Sequence, residues 1–280
     1  MPQGLSLHFG LNQVDADHYQ GWDGKLVACE ADAEDMAKLA GKQGFETQTV
    51  LTKDATAEAL LSAVQDAAGK LESGDILLHT YSGHGGQVPD ANGDEDDRMD
   101  ETWVLYDRQV VDDELYAEWA KFKPGVRIAI FSDSCHSGTV AREAVQAVGE
   151  DRIATSMNGG GNGRPRTKGM PDDKARATYE NNKKLYDDIQ KSLPAFDDES
   201  IGASVILISG CQDNQTSLDG DKNGLFTQTL LETWHEGDFK GGYRRFRKSI
   251  AAGMPPWQSP NLFIVGAPST KFARQHPFTV

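Results

Sequence analysis

Two stretches of the chain each place a chemically reactive side chain and a glycine within a few residues of the end of an apolar run. The first run, residues 76–81, ends just before His84. The second run, residues 126–131, ends just before Cys135. A thiol and an imidazole brought together form a cysteine nucleophile with its proton-transfer partner. The two stretches therefore predict covalent catalysis, with Cys135 as the nucleophile and His84 as the acid–base group.

The elements that must position these two side chains are strands, since each apolar run has the length of one buried strand. If the strands are parallel neighbours, His84 and Cys135 emerge at the same carboxyl edge of one sheet, where open α/β sheets place their active sites. A helix is predicted directly behind Cys135, over residues 139–148. Because a helix N-terminus lowers the pKa of a thiol and offers N–H groups to an oxyanion, Cys135 is predicted to be reactive.

Strands and helices alternate along the rest of the chain. Strands are predicted over residues 5–11, 45–51, 75–82, 126–132, 203–209 and 261–265, with a hairpin over 102–106 and 109–111. Helices are predicted over residues 30–44, 56–71, 112–122, 139–148, 224–235 and 242–252, and an acidic loop over 86–101. This alternation predicts an α/β fold with a mostly parallel central sheet of about six strands, flanked by helices on both faces.

The composition is that of a globular chain with a large acidic excess. The 280 residues carry 43 acidic and 28 basic side chains, which gives a formal net charge of −15. A field of that sign repels nucleic acid and anionic membrane surfaces, and it favours basic peptides as partners. The sequence contains no apolar run long enough to cross a bilayer and no signal-peptide pattern. We therefore expect a protein that binds neither nucleic acid nor membrane.

The chain has three cysteines, Cys29, Cys135 and Cys211, and no CxxC motif. An odd number of widely spaced cysteines argues against a disulfide framework and against a structural zinc site. Reduced thiols are the simpler interpretation, so a cytoplasmic location is expected. Cys211 follows a predicted buried strand and is expected to be a core residue.

The composition changes over residues 150–200, where glycine and charged side chains replace the apolar periodicity. Within this segment residues 175–193 have helical spacing, and the rest is typical of an exposed linker. The chain is therefore predicted to be one domain in three parts: residues 1–149 with the His/Cys pair, the linker, and residues 201–280.

The residues around the two reactive side chains resemble a known family. Residues 81–85 (YSGHG) and 133–138 (DSCHSG) resemble the caspase-type cysteine peptidases, and specifically the metacaspases and their bacterial relatives, the orthocaspases. In caspases too the histidine lies about 50 residues before the nucleophile. Residues 209–217 (SGCQDNQTS) and 224–227 (GLFT) extend the resemblance. It implies a caspase-like fold, with a large-subunit-like region before the linker and a small-subunit-like region after it.

The resemblance also implies which residues bind the substrate. The pocket for the residue before the scissile bond would be lined by Asp32, Ser82 and Asp133. Carboxylates there would bind arginine or lysine through charge-assisted hydrogen bonds and would reject the aspartate that caspases prefer. The backbone N–H groups of Gly85 and Cys135 would stabilise the oxyanion. The expected activity is that of a cysteine endopeptidase that cleaves proteins or peptides after Arg or Lys.

Residues in and near the acidic loop are candidates for calcium binding. It departs from an EF-hand because Glu95 stands where glycine is needed. By resemblance to calcium-dependent metacaspases, three carboxylates fall on calcium-ligand positions, namely Asp100, Asp112 and Asp113. Arg142 stands where a further carboxylate is expected, and its charge would oppose a cation. The chemistry is expected to need no cofactor, and calcium is retained as a candidate activator.

The linker holds candidate cleavage sites for an enzyme of this specificity. The basic residues considered as processing positions are Arg152, Arg164, Arg166, Lys168 and Arg176. Because exposed glycine-rich segments are cut easily, we expect a latent single chain that is activated by cutting itself or by an upstream protease. The sequence does not choose the bond. By resemblance to metacaspases, the chain is expected to be a monomer.

Two other interpretations stay open. The first is a catalytically weak signalling or binding module with a caspase fold, against which the intact His84/Cys135 pair speaks. The second is another caspase-fold peptidase, of the gingipain or separase type, against which the DSCHSG string speaks. His136 is a rival imidazole, but as the residue next to Cys135 it is expected to point away from the line of attack.

Overall fold

The computed structural model describes residues 1–93, 98–135, 166–194, 197–212 and 215–280, and the labels below number its strands and helices in chain order. The strands are β1 (Gly4–Gly10), β2 (Glu46–Leu51), β3 (Ile76–Ser82), β4 (Gly85–Pro89), β5 (Met99–Val104), β6 (Gln109–Val111), β7 (Arg127–Asp133), β8 (Arg166–Thr167), β9 (Ser204–Ser209), β10 (Leu218–Asp219) and β11 (Asn261–Gly266). The helices are α1 (Cys29–Lys42), α2 (Ala57–Lys70), α3 (Asp112–Trp119), α4 (Asp172–Asn181), α5 (Lys183–Ser192), α6 (Leu225–Trp234), α7 (Tyr243–Gly253) and α8 (Thr270–Arg274).

A six-stranded sheet forms the centre of the molecule, in the order β11-β9-β7-β3-β1-β2. All neighbouring pairs are parallel except β11 with β9. The mostly parallel α/β sheet predicted from the sequence is thus confirmed. Strands β3 and β7 are neighbours, with Ser82 opposite Asp133 at their carboxyl ends. The segments that follow the two strands therefore start side by side at one edge of the sheet.

Side chains of the central strands alternate between two hydrophobic clusters on opposite faces of the sheet. On β7, Ile128 and Ile130 belong to one cluster, whereas Ala129 and Phe131 belong to the other. Helices α2 and α3 cover the first face, and α1, α6 and α7 cover the second. This is the period-two pattern of a strand buried on both sides. None of the helices in the described ranges is long and apolar enough to cross a membrane.

The prediction of a loop over residues 86–101 is wrong for residues 86–89 and 99–101, which lie in strands. Strands β4 and β5 pair there as an antiparallel hairpin, and β6 adds a third strand. Glycine at position 86 permits the pairing, because a Cβ there would lie 2.7 Å from the Gln109 side chain and 3.1 Å from that of Thr102. Residues 90–93 and 98 lie outside strands, and residues 94–97 are outside the described ranges.

Residues 166–194, within the segment predicted as a linker over 150–200, contact the rest of the molecule. The helical part predicted over residues 175–193 forms two helices, α4 and α5. The Tyr186 hydroxyl, on α5, accepts a hydrogen bond from the backbone N–H of Gln109 at 3.2 Å. The Gln190 side chain donates to the Pro89 carbonyl at 3.1 Å. These contacts fix α5 to the three-stranded sheet of β4, β5 and β6. The helix predicted over residues 139–148 lies outside the described residues.

Candidate active site

The turn after β3 is held by the side chain of Tyr81. Its hydroxyl donates to the backbone carbonyl oxygens of His84, at 2.7 Å, and of Val104, at 3.0 Å. The ring stacks on Trp103, with centroids 4.6 Å apart and planes at 5°. A Cβ at position 83 would lie 2.6 Å from this hydroxyl, which explains the glycine there. Tyr81 therefore fixes the backbone that carries His84.

The His84 ring is buried and is held by a loop from the first part of the chain. Its Nε2 lies 2.9 Å from the carbonyl oxygen of Gly24, and Trp22 packs against the ring at a centroid distance of 4.7 Å. Because a carbonyl can only accept, the proton of the neutral ring is on Nε2. The other nitrogen, Nδ1, has no hydrogen-bond partner among the described residues. The atom left to accept a proton is therefore Nδ1.

Burial sets the protonation state of His84. Burial lowers the pKa of this histidine to about 4, although the carbonyl of Gly24 and the carboxylate of Asp219 act in the opposite direction. The ammonium of Lys168 lowers the pKa further, and the carbonyl of Gly169 raises it. The ring is therefore neutral near pH 7 and can act as a base.

Cys135 follows the end of β7 and is buried. Its Sγ–H donates to the carbonyl oxygen of Gln215 at 2.8 Å. Its backbone N–H donates to the carbonyl oxygen of Lys168 at 3.1 Å, and the N–H of Gly85 donates to the same oxygen at 2.9 Å. Two N–H groups from the ends of neighbouring strands thus converge on one carbonyl oxygen. This is the geometry of an oxyanion-stabilising site.

The side chain of Lys168 enters the pocket predicted from Asp32, Ser82 and Asp133. Its Nζ lies 2.9 Å from a carboxylate oxygen of Asp32, 2.9 Å from the Ser82 hydroxyl and 3.0 Å from a carboxylate oxygen of Asp133. An ammonium has three N–H donors, and three acceptors surround it here. The Lys168 side chain has 0% of its surface exposed. The three predicted pocket residues therefore come together around one buried cation.

The charge of this lysine is maintained inside the protein. Burial, the largest single influence, lowers the pKa of Lys168, but the carboxylates of Asp133 and Asp32 more than offset it and raise the pKa well above its ordinary value. A buried charge is tolerated only when it is paired and hydrogen-bonded. The pocket is thus built to hold a positively charged side chain.

Other side chains and a glycine support the pocket from the last part of the chain. The Thr227 hydroxyl donates to the Asp133 carboxylate at 2.9 Å, and the Ser217 hydroxyl donates to its other oxygen at 2.5 Å. The N–H of Gly224 donates to Asp32 at 2.9 Å. A Cβ at position 224 would overlap Asp133 and the Lys168 ammonium, so this glycine forms the floor of the pocket.

The backbone of residues 166–170 lies along the site and is joined to it by main-chain hydrogen bonds. Strand β8 pairs with β10, with Thr167 opposite Leu218. The N–H of Lys168 donates to the Ser217 carbonyl at 2.8 Å, and the N–H of Met170 donates to the Gly85 carbonyl at 2.7 Å. A peptide that pairs with an exposed sheet edge in this way is recognised through its main chain.

The five basic positions considered for processing have different environments. Arg152 and Arg164 lie outside the described residues. Arg176 is exposed on α4, and Arg166 lies on β8 with its guanidinium beside Asp219. Among the three that the structure describes, Lys168 alone has its side chain in the pocket and its carbonyl between the two N–H groups. His136 also lies outside the described residues, and Cys211 is buried, as predicted.

The residues considered for calcium do not assemble a metal site in the part of the chain described. Asp100 lies on β5, and Asp112 and Asp113 begin α3. Asp113 accepts a hydrogen bond from the Asn92 side chain at 2.7 Å, and Asp112 accepts one from the N–H of Asp113 at 3.1 Å. Within the described ranges no three His, Cys, Asp or Glu side chains form a group that could hold a metal ion. Activation by calcium stays a prediction, and the catalytic steps proposed below do not involve the ion.

Several residues of the site were not identified from the sequence. Gly24 and Trp22, which hold His84, carry no motif that distinguishes them from other loop residues. Ser217, Gly224 and Thr227 lie in the two strings that extended the family resemblance. The resemblance was therefore the signal that could have identified them as site residues. The sequence did not attach a role to any of them.

Comparison with known proteins shows the family to which the chain belongs. A family model described as a caspase domain (Peptidase C14) matches residues 14–263. Metacaspase-1 of Kluyveromyces lactis is 30% identical over 251 residues, which cover 80% of this chain and 56% of that protein. Metacaspase-1 of Mycosarcoma maydis is 29% identical, with 79% of this chain and 59% of that protein covered. The chain thus spans somewhat more than half the length of the curated relatives it matches.

Two solved structures are similar over nearly the whole chain. Protein GSU0716 from Geobacter sulfurreducens is 49% identical, with a TM-score of 0.86, and the match covers 100% of this chain and 99% of that chain. Caspase-1 from Spodoptera frugiperda is 11% identical, with a TM-score of 0.55, and the match covers 95% of this chain and 86% of that chain. At that identity the caspase-1 match bears on the fold alone, and the fold is caspase-like.

Proposed function

Because this chain belongs to the caspase-domain family of cysteine peptidases, we propose that it is an endopeptidase that cleaves after lysine or arginine. Cys135 is the nucleophile and His84 is the acid–base group. The observation that carries the proposal is the position of Lys168, whose ammonium lies between two buried carboxylates. The carbonyl of the same residue accepts hydrogen bonds from Gly85 and Cys135.

The chemistry follows from the atoms around the Lys168 carbonyl. The thiol proton of Cys135 passes to Nδ1 of His84, and Sγ forms a bond to the carbonyl carbon. The N–H groups of Gly85 and Cys135 stabilise the oxyanion that results. When the C–N bond breaks, His84 donates the proton to the leaving amine, and water then hydrolyses the thioester. The Gly24 carbonyl keeps the ring in the tautomer that this transfer needs.

The pocket explains the preference for a basic residue before the scissile bond. Asp32 and Asp133 provide negative charge in a buried pocket, and Ser82 adds a third acceptor. A lysine or arginine side chain replaces its hydration shell with charge-assisted hydrogen bonds. An aspartate would meet two like charges after losing its own water, and so it is rejected.

We further propose that the uncut chain is latent, because its own residues 166–170 fill the substrate cleft. Lys168 is fully buried, so another protease cannot reach the bond between Lys168 and Gly169 while the segment stays in place. The sulfur of Cys135 is hydrogen-bonded to Gln215 in this state and must leave that contact to attack. Cleavage by Cys135 would free the new carboxyl end at Lys168, and its departure would open the pocket.

Activation by calcium remains a separate prediction. If calcium activates the enzyme, adding it should speed cleavage at Lys168 and a chelator should slow it. Asp112→Asn should then reduce the calcium effect and leave the calcium-free rate unchanged. Equal rates with calcium and with chelator would contradict activation by calcium and would leave the proposed chemistry intact.

Fluorogenic peptides that end in Lys, Arg or Asp test the proposed specificity. The protein is assayed as isolated and after a long incubation, beside Cys135→Ala. Hydrolysis of the Lys and Arg peptides by the wild-type chain alone supports the proposal. Faster hydrolysis of the Asp peptide would show that the pocket is assigned wrongly. If no peptide is cleaved under any condition, the alternative of a signalling or binding module gains support.

A further inference from the structure

An ion pair outside the pocket joins the segment in the cleft to the body of the molecule. The guanidinium Nε of Arg166 lies 3.0 Å from a carboxylate oxygen of Asp219. The Asp219 side chain is fully buried, and 37% of the Arg166 side chain is exposed. The Asp219 carboxylate is thus part of the protein interior, and Arg166 contacts it from the solvent side.

The main-chain pairing fixes which residue of a bound peptide meets Asp219. In the β8–β10 ladder Arg166 is opposite Asp219 and Thr167 is opposite Leu218. The N–H of Lys168 continues this pairing to the Ser217 carbonyl. Any peptide that binds in this register, with a basic residue in the pocket, therefore brings its third residue before the scissile bond to Asp219.

Asp219 is held in place without the help of Arg166. Its two carboxylate oxygens accept hydrogen bonds from the backbone N–H groups of Val27, at 2.9 Å, and Ala28, at 3.1 Å, just before α1 begins. A carboxylate has about four lone-pair sites, so two amide donors leave room for a further donor. The two amides also compensate for the buried charge. Asp219 is therefore a preformed acceptor that a peptide can occupy or leave.

We propose that Asp219 is a specificity-determining residue that selects a basic side chain at the third position before the scissile bond. The preferred substrate is then a peptide of the form Arg-x-Lys rather than any peptide with a single basic residue. The inference rests on the proposed endopeptidase activity. It adds an acidic subsite that lies apart from Asp32, Ser82 and Asp133.

A series of three peptides on the wild-type enzyme tests this directly. The peptides are acetylated Arg-Thr-Lys, citrulline-Thr-Lys and Glu-Thr-Lys, each with a coumarin leaving group, and citrulline keeps the shape of arginine without its charge. We expect kcat/KM to be about tenfold higher for the arginine peptide than for the citrulline peptide, since one partner is buried and the other is partly screened. The glutamate peptide should be cleaved more slowly than both.

Variants then assign the preference to one carboxylate. In Asp219→Asn the ratio between the arginine and citrulline peptides should fall towards one. The control is Asp221→Asn, which changes an exposed aspartate close by and should keep the full ratio. If Asp219→Asn lowers the rates for both peptides equally, the residue is structural and the inference fails.

The uncut chain gives a measurement that does not depend on the folding of Asp219→Asn. Arg166→Gln should slow the cleavage after Lys168 several-fold, whereas Arg176→Gln, an exposed arginine of the same segment, should not. Equal kcat/KM for all three peptides would overturn the inference and leave the proposed function standing. Absence of cleavage of every lysine peptide would overturn both.

Discussion

The backbone N–H of Cys135 and the carbonyl oxygen of Lys168 form a hydrogen bond of 3.1 Å. The same oxygen accepts a second hydrogen bond from Gly85, and the lysine side chain is buried against Asp32 and Asp133. One residue of the chain thus meets both the N–H groups that would stabilise an oxyanion and the acidic pocket. Under the proposed function, the chain therefore contains both a substrate-binding site and a segment that fits it.

The charge of Lys168 should decide whether the segment is cut. In Lys168→Gln the pocket loses its cation, and we expect cleavage after position 168 to fall about 100-fold or more, because a site built for a charged donor rejects a neutral one. The free energy of unfolding should also fall, by about 3 kcal/mol, because Asp32 and Asp133 lose their buried partner. Intact-mass measurements over time and urea unfolding give the two quantities.

Two further variants are controls, one at position 168 and one at an exposed arginine. Lys168→Arg keeps the charge and should still be cut, whereas Arg176→Gln removes an exposed charge and should change nothing. If Lys168→Gln were cut at the wild-type rate, the acidic pocket would have no part in selecting the bond.

The floor of the pocket should tolerate only glycine. Gly224→Ala places a methyl group where the ammonium and Asp133 meet, so we expect kcat/KM for lysine and arginine peptides to fall by about 100-fold. Gly69→Ala is the matched control, because a Cβ at that position in α2 contacts nothing within 4 Å. Full activity in Gly224→Ala would mean that substrates bind elsewhere.

The turn that carries His84 should depend on one hydroxyl. Tyr81→Phe keeps the stacking on Trp103 but removes the donor to the carbonyls of His84 and Val104, which should cost about 1–2 kcal/mol of stability. A small shift of the imidazole should lower kcat about tenfold with little change in KM. Tyr243→Phe, in the cluster on the other face of the sheet, is the control. An unchanged kcat in Tyr81→Phe would contradict this role.

Buried histidines should make the fold sensitive to acid. Burial lowers the pKa of His8 and His79 to about 3, and that of His84 to about 4. In an unfolded chain histidine titrates near pH 6.5, so below that pH the unfolded state binds protons that the folded state does not. Stability is therefore lost as the pH falls from about 6.5 towards 4, by about 1.4 kcal/mol per pH unit for each histidine.

Urea unfolding at several pH values between these limits checks the sign and the size of this effect. His79→Leu should make the dependence shallower by about 1.4 kcal/mol per pH unit, because one titrating group is removed. A stability that rises as the pH falls through this range would contradict the prediction.

Much of the framework could be predicted because it follows from local patterns. The apolar runs before His84 and Cys135 each had the length and glycine ending of a buried strand, and they form the neighbours β3 and β7. The helix predicted over residues 56–71 corresponds to α2, and the hydroxyl of Thr56 caps it by accepting from the N–H of Ala59 at 3.1 Å. Such features depend on residues a few positions apart, which the sequence displays directly.

The parts that were missed depend on contacts between distant positions. Five basic residues of the linker were equal candidates, and only the fold brings Lys168 to Asp32, 136 positions away. Asp219 has no sequence pattern that sets it apart from other aspartates, because its role comes from strand pairing and from two amides near residue 28. The paired residues of β4 and β5 were predicted as part of a loop, because glycine and acidic residues dominate the sequence of this segment.

The most direct test of the account is the identity of the bond that the chain cuts in itself. Purified wild-type protein and Cys135→Ala are incubated side by side, and the products are identified by intact mass and N-terminal sequencing. We expect a fragment that begins at Gly169 in the wild-type sample and an intact chain in Cys135→Ala. The same fragment in both samples, or a wild-type chain that is cut only at other positions or not at all, would contradict self-cleavage after Lys168 by Cys135.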